Sequence, residues 1–151
     1  MGISEDIKQK EFKSEFNKVL INLMYSNNWL NQRQNKLFKP HGITSAQYNV
    51  LRILRGQYPK TATVNLIIDR MLDRMSNASR IVEKLVSKKL VSRIQCPSDR
   101  RAVDIKINDS GLELLDKLDS ELEQMEISLN SFSDEELKLM NGFLDRFREE
   151  N

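Results

Sequence analysis

The sequence predicts a mostly helical fold carrying one small β-hairpin. Apolar side chains recur at helical spacing through most of the chain, whereas the period drops to two only in the run that ends at Ile107. Pro40, Gly42, Gly56 and Pro59 fall between periodic segments, where breaks belong. With 151 residues, 39% of them hydrophobic, the chain fits a single domain, residues 1–151, with a core of its own.

Residues from about Glu5 to Lys36 read as one long helix, with Phe12, Phe16, Val19, Leu20, Leu23 and Met24 on a common face. Lys39-Pro40-His41-Gly42 ends it, and Thr44 with Gln47 forms a capping box for a second helix carrying Tyr48, Val50, Leu51, Ile53 and Leu54. Val64, Leu66, Ile67, Ile68, Met71 and Leu72 make a short third helix. A fourth follows Asp73-Arg74-Met75, N-capped by Ser76 or Asn77, with Ile81, Val82, Leu85 and Val86 on its apolar stripe.

After Leu90 the pattern changes. Val103, Ile105 and Ile107 alternate with Asp104, Lys106 and Asn108 as in a half-buried strand, and Val91 to Gln95 is its hairpin partner. The six residues between, Cys96 to Arg101, form the loop, with Pro97, Ser98 and Asp99 favouring a turn. Asn108 then caps a helix with a near-heptad seam of Leu112, Leu115, Leu118, Leu122, Met125 and Leu129. Ser133 and Glu136 box the start of a last helix bearing Leu137, Met140, Leu144 and Phe147. The terminal helices thus carry apolar seams beyond the needs of a small core, which predicts a symmetric homodimer.

Charge is unevenly distributed. Arg70 to Lys106 holds ten basic and four acidic residues, a net +6, while residues 107–151 carry a net −9. A helix exposing small polar and basic side chains suits the major groove of DNA, and a basic hairpin beside it suits phosphates or the minor groove. Ser76, Asn77, Ser79, Arg80 and Lys84 are the candidate base and phosphate contacts of the fourth helix. Arg93 fits a phosphate contact or a brace of the strand pair.

Leu90-Val91-Ser92-Arg93, Asp99-Arg100-Arg101-Ala102 and Asn108-Asp109-Ser110-Gly111 fall in the order and spacing seen in the MarR family of winged-helix transcriptional regulators, which the whole chain resembles. The resemblance implies a winged helix-turn-helix DNA-binding lobe over about 43–107, flanked by dimerisation helices over about 5–36 and 108–151. It also implies a pseudo-palindromic operator read by two recognition helices about one DNA turn apart. Asp99 would orient an arginine, and Arg100 or Arg101 would enter the minor groove. Tyr25, Trp29, His41, Tyr48 and Arg52 lie where the family borders a crevice for small aromatic acids, which makes them the candidate ligand-binding set, against core and interface packing as the alternative. Lys89 departs from the family's helix-ending glycine, and a left-handed cap costs a non-glycine residue roughly 1 kcal/mol, so a different helix end is open here.

Together these readings predict a cytoplasmic homodimeric repressor released by a small aromatic or anionic effector. The alternative is a winged-helix protein–protein adaptor or antirepressor that does not read DNA. An enzyme is not expected, because no paired carboxylates, activated nucleophile or phosphate loop emerges, and neither a metal nor another cofactor is implied. The single Cys96 forms no internal disulfide and reads as an incidental surface thiol, although the basic loop around it would lower its pKa. The charged N-terminus is unlike a secretory signal, and the longest uncharged run, Val19 to Gln32, contains four asparagines and falls short of a membrane span.

Overall fold

The computed structural model describes residues 2–149, the side chain of Arg100 excepted. In chain order these form α1 (Ile3–Asp6), α2 (Glu15–Phe38), a 3₁₀ turn (Lys39–His41), α3 (Ser45–Gln57), β1 (Ala62–Thr63), α4 (Val64–Arg70) and α5 (Ala78–Ser87). They continue with β2 (Val91–Cys96), β3 (Asp99–Ile107), α6 (Asp109–Leu129) and α7 (Asp134–Phe147). The fold class is the one the sequence predicts: mostly helical, with one small antiparallel sheet. No helix of the described residues is long and apolar enough to cross a membrane. The chain divides into two compact units, Met1–Lys117 and Leu118–Asn151, with the boundary inside α6.

The expected helix from Glu5 to Lys36 is two helices. Lys8 takes a left-handed φ of 56°, and α2 begins afresh at Ser14, whose hydroxyl oxygen accepts from the Asn17 N–H at 3.0 Å. An apolar period continues through such a break because it does not register which serine competes for a backbone donor. Downstream the capping box forms as expected: Thr44 Oγ1 accepts from the Gln47 N–H, and Gln47 Oε1 from the Thr44 N–H, each at 3.2 Å. The third helix, α4, is capped by Thr63 and stops at Arg70, so Leu72 lies beyond it.

The sheet has the order β1-β3-β2, one strand more than the expected hairpin. Ala62 pairs with Ile105 and Thr63 with Asp104, and the Thr61 hydroxyl donates to Asp104 at 3.1 Å. A two-residue strand is too short to show a period, so sequence pattern could not reveal it. Ile105 and Ile107 are buried as expected, but Val103, expected on the same face, is 37% exposed; Val91, Val82, Leu85, Ile67, Leu51 and Leu54 complete the core between the sheet and the short helices.

Asn108 does not cap α6 with its side chain. Its backbone carbonyl accepts from the Gly111 and Leu112 N–H groups, while its side chain accepts from the Ser92 hydroxyl at 2.6 Å and donates to the Lys89 carbonyl at 3.0 Å. Gly111 permits a close approach: a Cβ there would lie 2.5 Å from the Leu90 carbonyl oxygen and 2.7 Å from Ile107 Cγ1. In the second unit, α7 opens with the expected capping box, Glu136 N–H to Ser133 Oγ at 3.3 Å and Ser133 N–H to Glu136 Oε2 at 2.8 Å. It buries none of its residues.

Candidate nucleic-acid interface

Four elements build the candidate surface: α4, the turn after it, α5 and the β2–β3 hairpin. Of the two proposed caps of α5, Asn77 serves, its Oδ1 accepting from the Arg80 N–H at 3.0 Å. The Ser76 hydroxyl instead donates to Asp73 Oδ2 at 2.7 Å. Two of the candidate contacts therefore hold the entrance of the helix. Ser79, Arg80 and Lys84 are exposed on α5, opposite the buried stripe of Ala78, Val82 and Leu85.

The far end of α5 resolves the question posed by Lys89. Leu90 N–H donates to the Leu85 carbonyl and Lys89 N–H to the Val86 carbonyl, the paired bonds of a Schellman ending, with Lys89 at a φ of 59°. A lysine thus fills the left-handed position that a glycine would occupy at lower cost. Its carbonyl oxygen is held by Asn108 Nδ2 and, at 2.6 Å, by the Ser110 hydroxyl, so three segments meet at this residue.

The hairpin departs from its expected form. Only Pro97 and Ser98 separate the strands, and the six-residue loop is absent because β2 extends through Cys96 and β3 begins at Asp99. Pairing passes from Gln95 with Val103 directly to Cys96 with Asp99, so Arg100, Arg101 and Ala102 bulge out of register. Asp99 Oδ1 accepts from the Arg101 N–H at 2.9 Å, and the Arg101 side chain is exposed. The Arg100 side chain lies outside the described residues. Arg93 stands 3.6 Å from Glu83, an ion pair that braces β2 against α5. The Cys96 thiol is pulled below its usual range by the Ser98 hydroxyl 3.1 Å away, then by backbone donors, rather than by the cations expected around it.

Two of the candidate ligand residues belong to α2 and three to the 3₁₀ turn and α3. Tyr48 stacks on Phe38 with ring centroids 4.6 Å apart, and the Arg52 guanidinium lies 5.9 Å from the Tyr48 ring; half-buried His41 ends the 3₁₀ turn ahead of α3. Tyr25 and Trp29 lie one turn apart on α2, and Trp29 carries the Arg33 guanidinium 4.2 Å over its ring. Sequence reasoning missed two exposed apolar side chains: Leu72, expected on a buried helix face, is 89% exposed and Met75 is 94% exposed. The signal available was Asp73 with Ser76 three residues on, a turn pattern that ends α4 early.

Comparison with known proteins agrees with this geometry. The family model described as MarR family matches residues 41–102. The HTH-type transcriptional regulator MhqR of Bacillus subtilis is 27% identical over 135 residues, spanning 85% of this chain and 88% of that protein. A MarR transcription factor from Planctomyces limnophilus superposes with a TM-score of 0.68 at 26% identity, covering 89% of this chain and 98% of the other. BpsR of Bordetella bronchiseptica, whose DNA binding is regulated by 6-hydroxynicotinic acid, superposes with a TM-score of 0.73 at 21% identity, over 94% of this chain and 99% of its own.

Proposed function

From the MarR-family match over residues 41–102 and the fold shared with MarR transcription factors, we propose that the chain is a MarR-family winged-helix regulator: a cytoplasmic, homodimeric, sequence-specific repressor released from its operator by a small ligand. Members of the family are transcription regulators rather than enzymes. The observation that carries the reading is α5 itself. It is capped at one end by Asn77 and closed at the other by a Schellman ending, and it exposes Ser79, Arg80 and Lys84 within a segment of net charge +6. In this reading the α5 face enters the major groove, and the Arg100–Arg101 bulge reaches a phosphate or the minor groove.

Residues of about 43–107 form the DNA-binding lobe and the flanking helices of about 5–36 and 108–151 form the dimer. Apolar exposure supports the dimer within each unit: Phe16 is 63% and Met24 69% exposed on α2, and Leu139 60% and Phe143 57% on α7. A second copy would cover faces that a monomer leaves in water, and its two-fold axis would demand a pseudo-palindromic operator. Tyr25, Trp29, His41, Tyr48 and Arg52 remain the proposed effector set. Their aromatic faces and arginine suit a small aromatic anion, which would act by favouring a dimer geometry that no longer fits the operator.

The test is fluorescence anisotropy of the protein with duplex DNA from its own upstream region, beside a shuffled duplex, at about 150 mM salt. A preference of ~10³-fold establishes a specific regulator. Equal, weak binding to both, followed by failure to enrich any sequence from a random duplex pool, favours the adaptor alternative.

A further inference from the structure

The turn between α4 and α5 is held from several sides. Asn49 Oδ1 on α3 accepts from the Leu72 N–H at 3.0 Å, and Asp73 accepts from the Met75 N–H at 3.0 Å and from the Ser76 hydroxyl. Arg74 Nη2 donates back to the Asp69 carbonyl at 3.3 Å. Met71, immediately before Leu72, is buried and anchors the turn to the core. The turn nevertheless leaves Leu72 and Met75 at 89% and 94% exposure, the two highest values among the large apolar side chains of the described residues.

A lone exposed leucine needs no explanation. Two within four residues, displayed by a turn fixed on both sides and leading directly into the cap of α5, contribute nothing to the core and gain only when a partner covers them. The surroundings select the partner. Arg70, Arg74 and Arg80 are exposed around the pair, three cations against the two acids Asp69 and Asp73, and both carboxylate oxygens of Asp73 are engaged by the turn's own donors. An apolar protein partner would have to be buried beside these cations, whereas DNA offers phosphates to the cations and, on the floor of the major groove, an apolar group, the 5-methyl of thymine.

We infer that Leu72 and Met75 read thymine methyl groups in each operator half-site, a role that rests on the proposed docking of α5 in the major groove. Leucine supplies a branched surface for one methyl, and methionine's unbranched, polarizable chain adapts to another. Arg80 and its neighbours on α5 would read hydrogen-bonding edges, and the turn would read the methyls that those edges do not encode.

The experiment selects a duplex on the wild-type protein from a random pool, then resynthesises it with deoxyuridine replacing thymidine at one position at a time. Each replacement deletes one methyl and leaves every hydrogen-bonding edge intact. The expected result is one or two positions per half-site at which affinity falls about fourfold, the factor corresponding to one buried CH₂ group. The double variant Leu72→Ser, Met75→Ser, made on exposed side chains that the core does not need, should bind the thymidine and deoxyuridine duplexes equally. A selected duplex indifferent to every replacement, or a methyl preference that survives in the double variant, overturns this inference and leaves the regulator reading standing. If no duplex is selected, the DNA reading falls and this inference falls with it.

Discussion

The Lys88 ammonium donates to Gln47 Oε1 across 2.9 Å and to the carbonyl oxygen of Gly42. Gln47, 4% exposed, uses the same amide oxygen to close the capping box of α3, so the end of α5 is fastened to the start of α3. Counted along the sequence, Lys88 adds to the DNA-facing charge. In the fold its charge is turned toward the protein.

Lys88→Met should therefore behave as a structural substitution. Loss of two charge-assisted bonds, with Gln47 still satisfied by Thr44, is expected to cost roughly 1–2 kcal/mol. Thermal unfolding should move down by about 3–6 °C. Its salt dependence of DNA binding should match wild type, whereas Lys84→Met should reduce the slope of log K against log salt by about 0.9. A Lys88→Met slope as shallow as that of Lys84→Met would mean that the ammonium reaches a phosphate instead.

Lys89→Gly should stabilise the protein. The residue sits at a φ of 59°, where a Cβ meets its own backbone, and glycine removes that contact while leaving the Lys89 carbonyl free to receive Asn108 and Ser110. The greater freedom of glycine in the unfolded chain offsets part of the gain. A net increase of about 0.5–1 kcal/mol is expected, read as a higher denaturant midpoint with an unchanged m-value.

Two helical glycines should respond oppositely to alanine. At Gly111 the new methyl would press on the Leu90 carbonyl and on Ile107, backbone and buried side chain that have little room to move. The helix propensity gained, about 1 kcal/mol, is outweighed, and a net loss of about 1–2 kcal/mol is expected. At Gly142, inside α7, nothing lies within 4 Å of the added carbon, so Gly142→Ala should gain about 0.5–1 kcal/mol. Equal effects at both sites would refute the close approach of α6 to Leu90.

Legibility in the sequence followed the range of the interactions. Both capping boxes, the apolar stripe of α5 and the change of period at β3 are local, and each formed where the pattern put it. What escaped was set by contacts distant in sequence or by single backbone choices. The pairing of Ala62 with Ile105, the inward turn of Lys88 to Gly42, and the bond from Asn49 that fixes Leu72 each join segments whose proximity no period reports. The candidate DNA face was legible as charge and exposure. Its division into helix-holding residues, Ser76 and Asn77, and free ones, Ser79, Arg80 and Lys84, required the hydrogen bonds.

The bulge offers a separate test of the hairpin. Arg101→Ala should lower the salt slope by about 0.9 if its guanidinium displaces counterions from DNA. Asp99→Ala removes no cation but frees the Arg101 N–H that Asp99 now holds. It should therefore weaken binding with the slope unchanged, because the arginine is retained and only its placement is lost. Two variants with identical slopes would place Arg101 outside the interface.

Asp73 gives the turn a pH dependence of known sign. The Ser76 hydroxyl first, and the Met75 N–H second, hold its carboxyl below the ordinary 3.8. Folding thus favours the charged form, so the stabilisation is present above the ordinary value and disappears as pH falls through the lowered one. Asp73→Asn resembles the protonated acid, and the variant should be less stable than wild type near pH 7 and converge with it in strong acid. Native-state hydrogen exchange at the Met75 and Ser76 amides would follow this locally, where a global melt could dilute it. A gap that persists undiminished into strong acid would mean that shape, rather than charge, sets the turn. Because the same carboxylate fixes the segment displaying Leu72 and Met75, Asp73→Asn at neutral pH should lower affinity for a selected duplex more than for a random one.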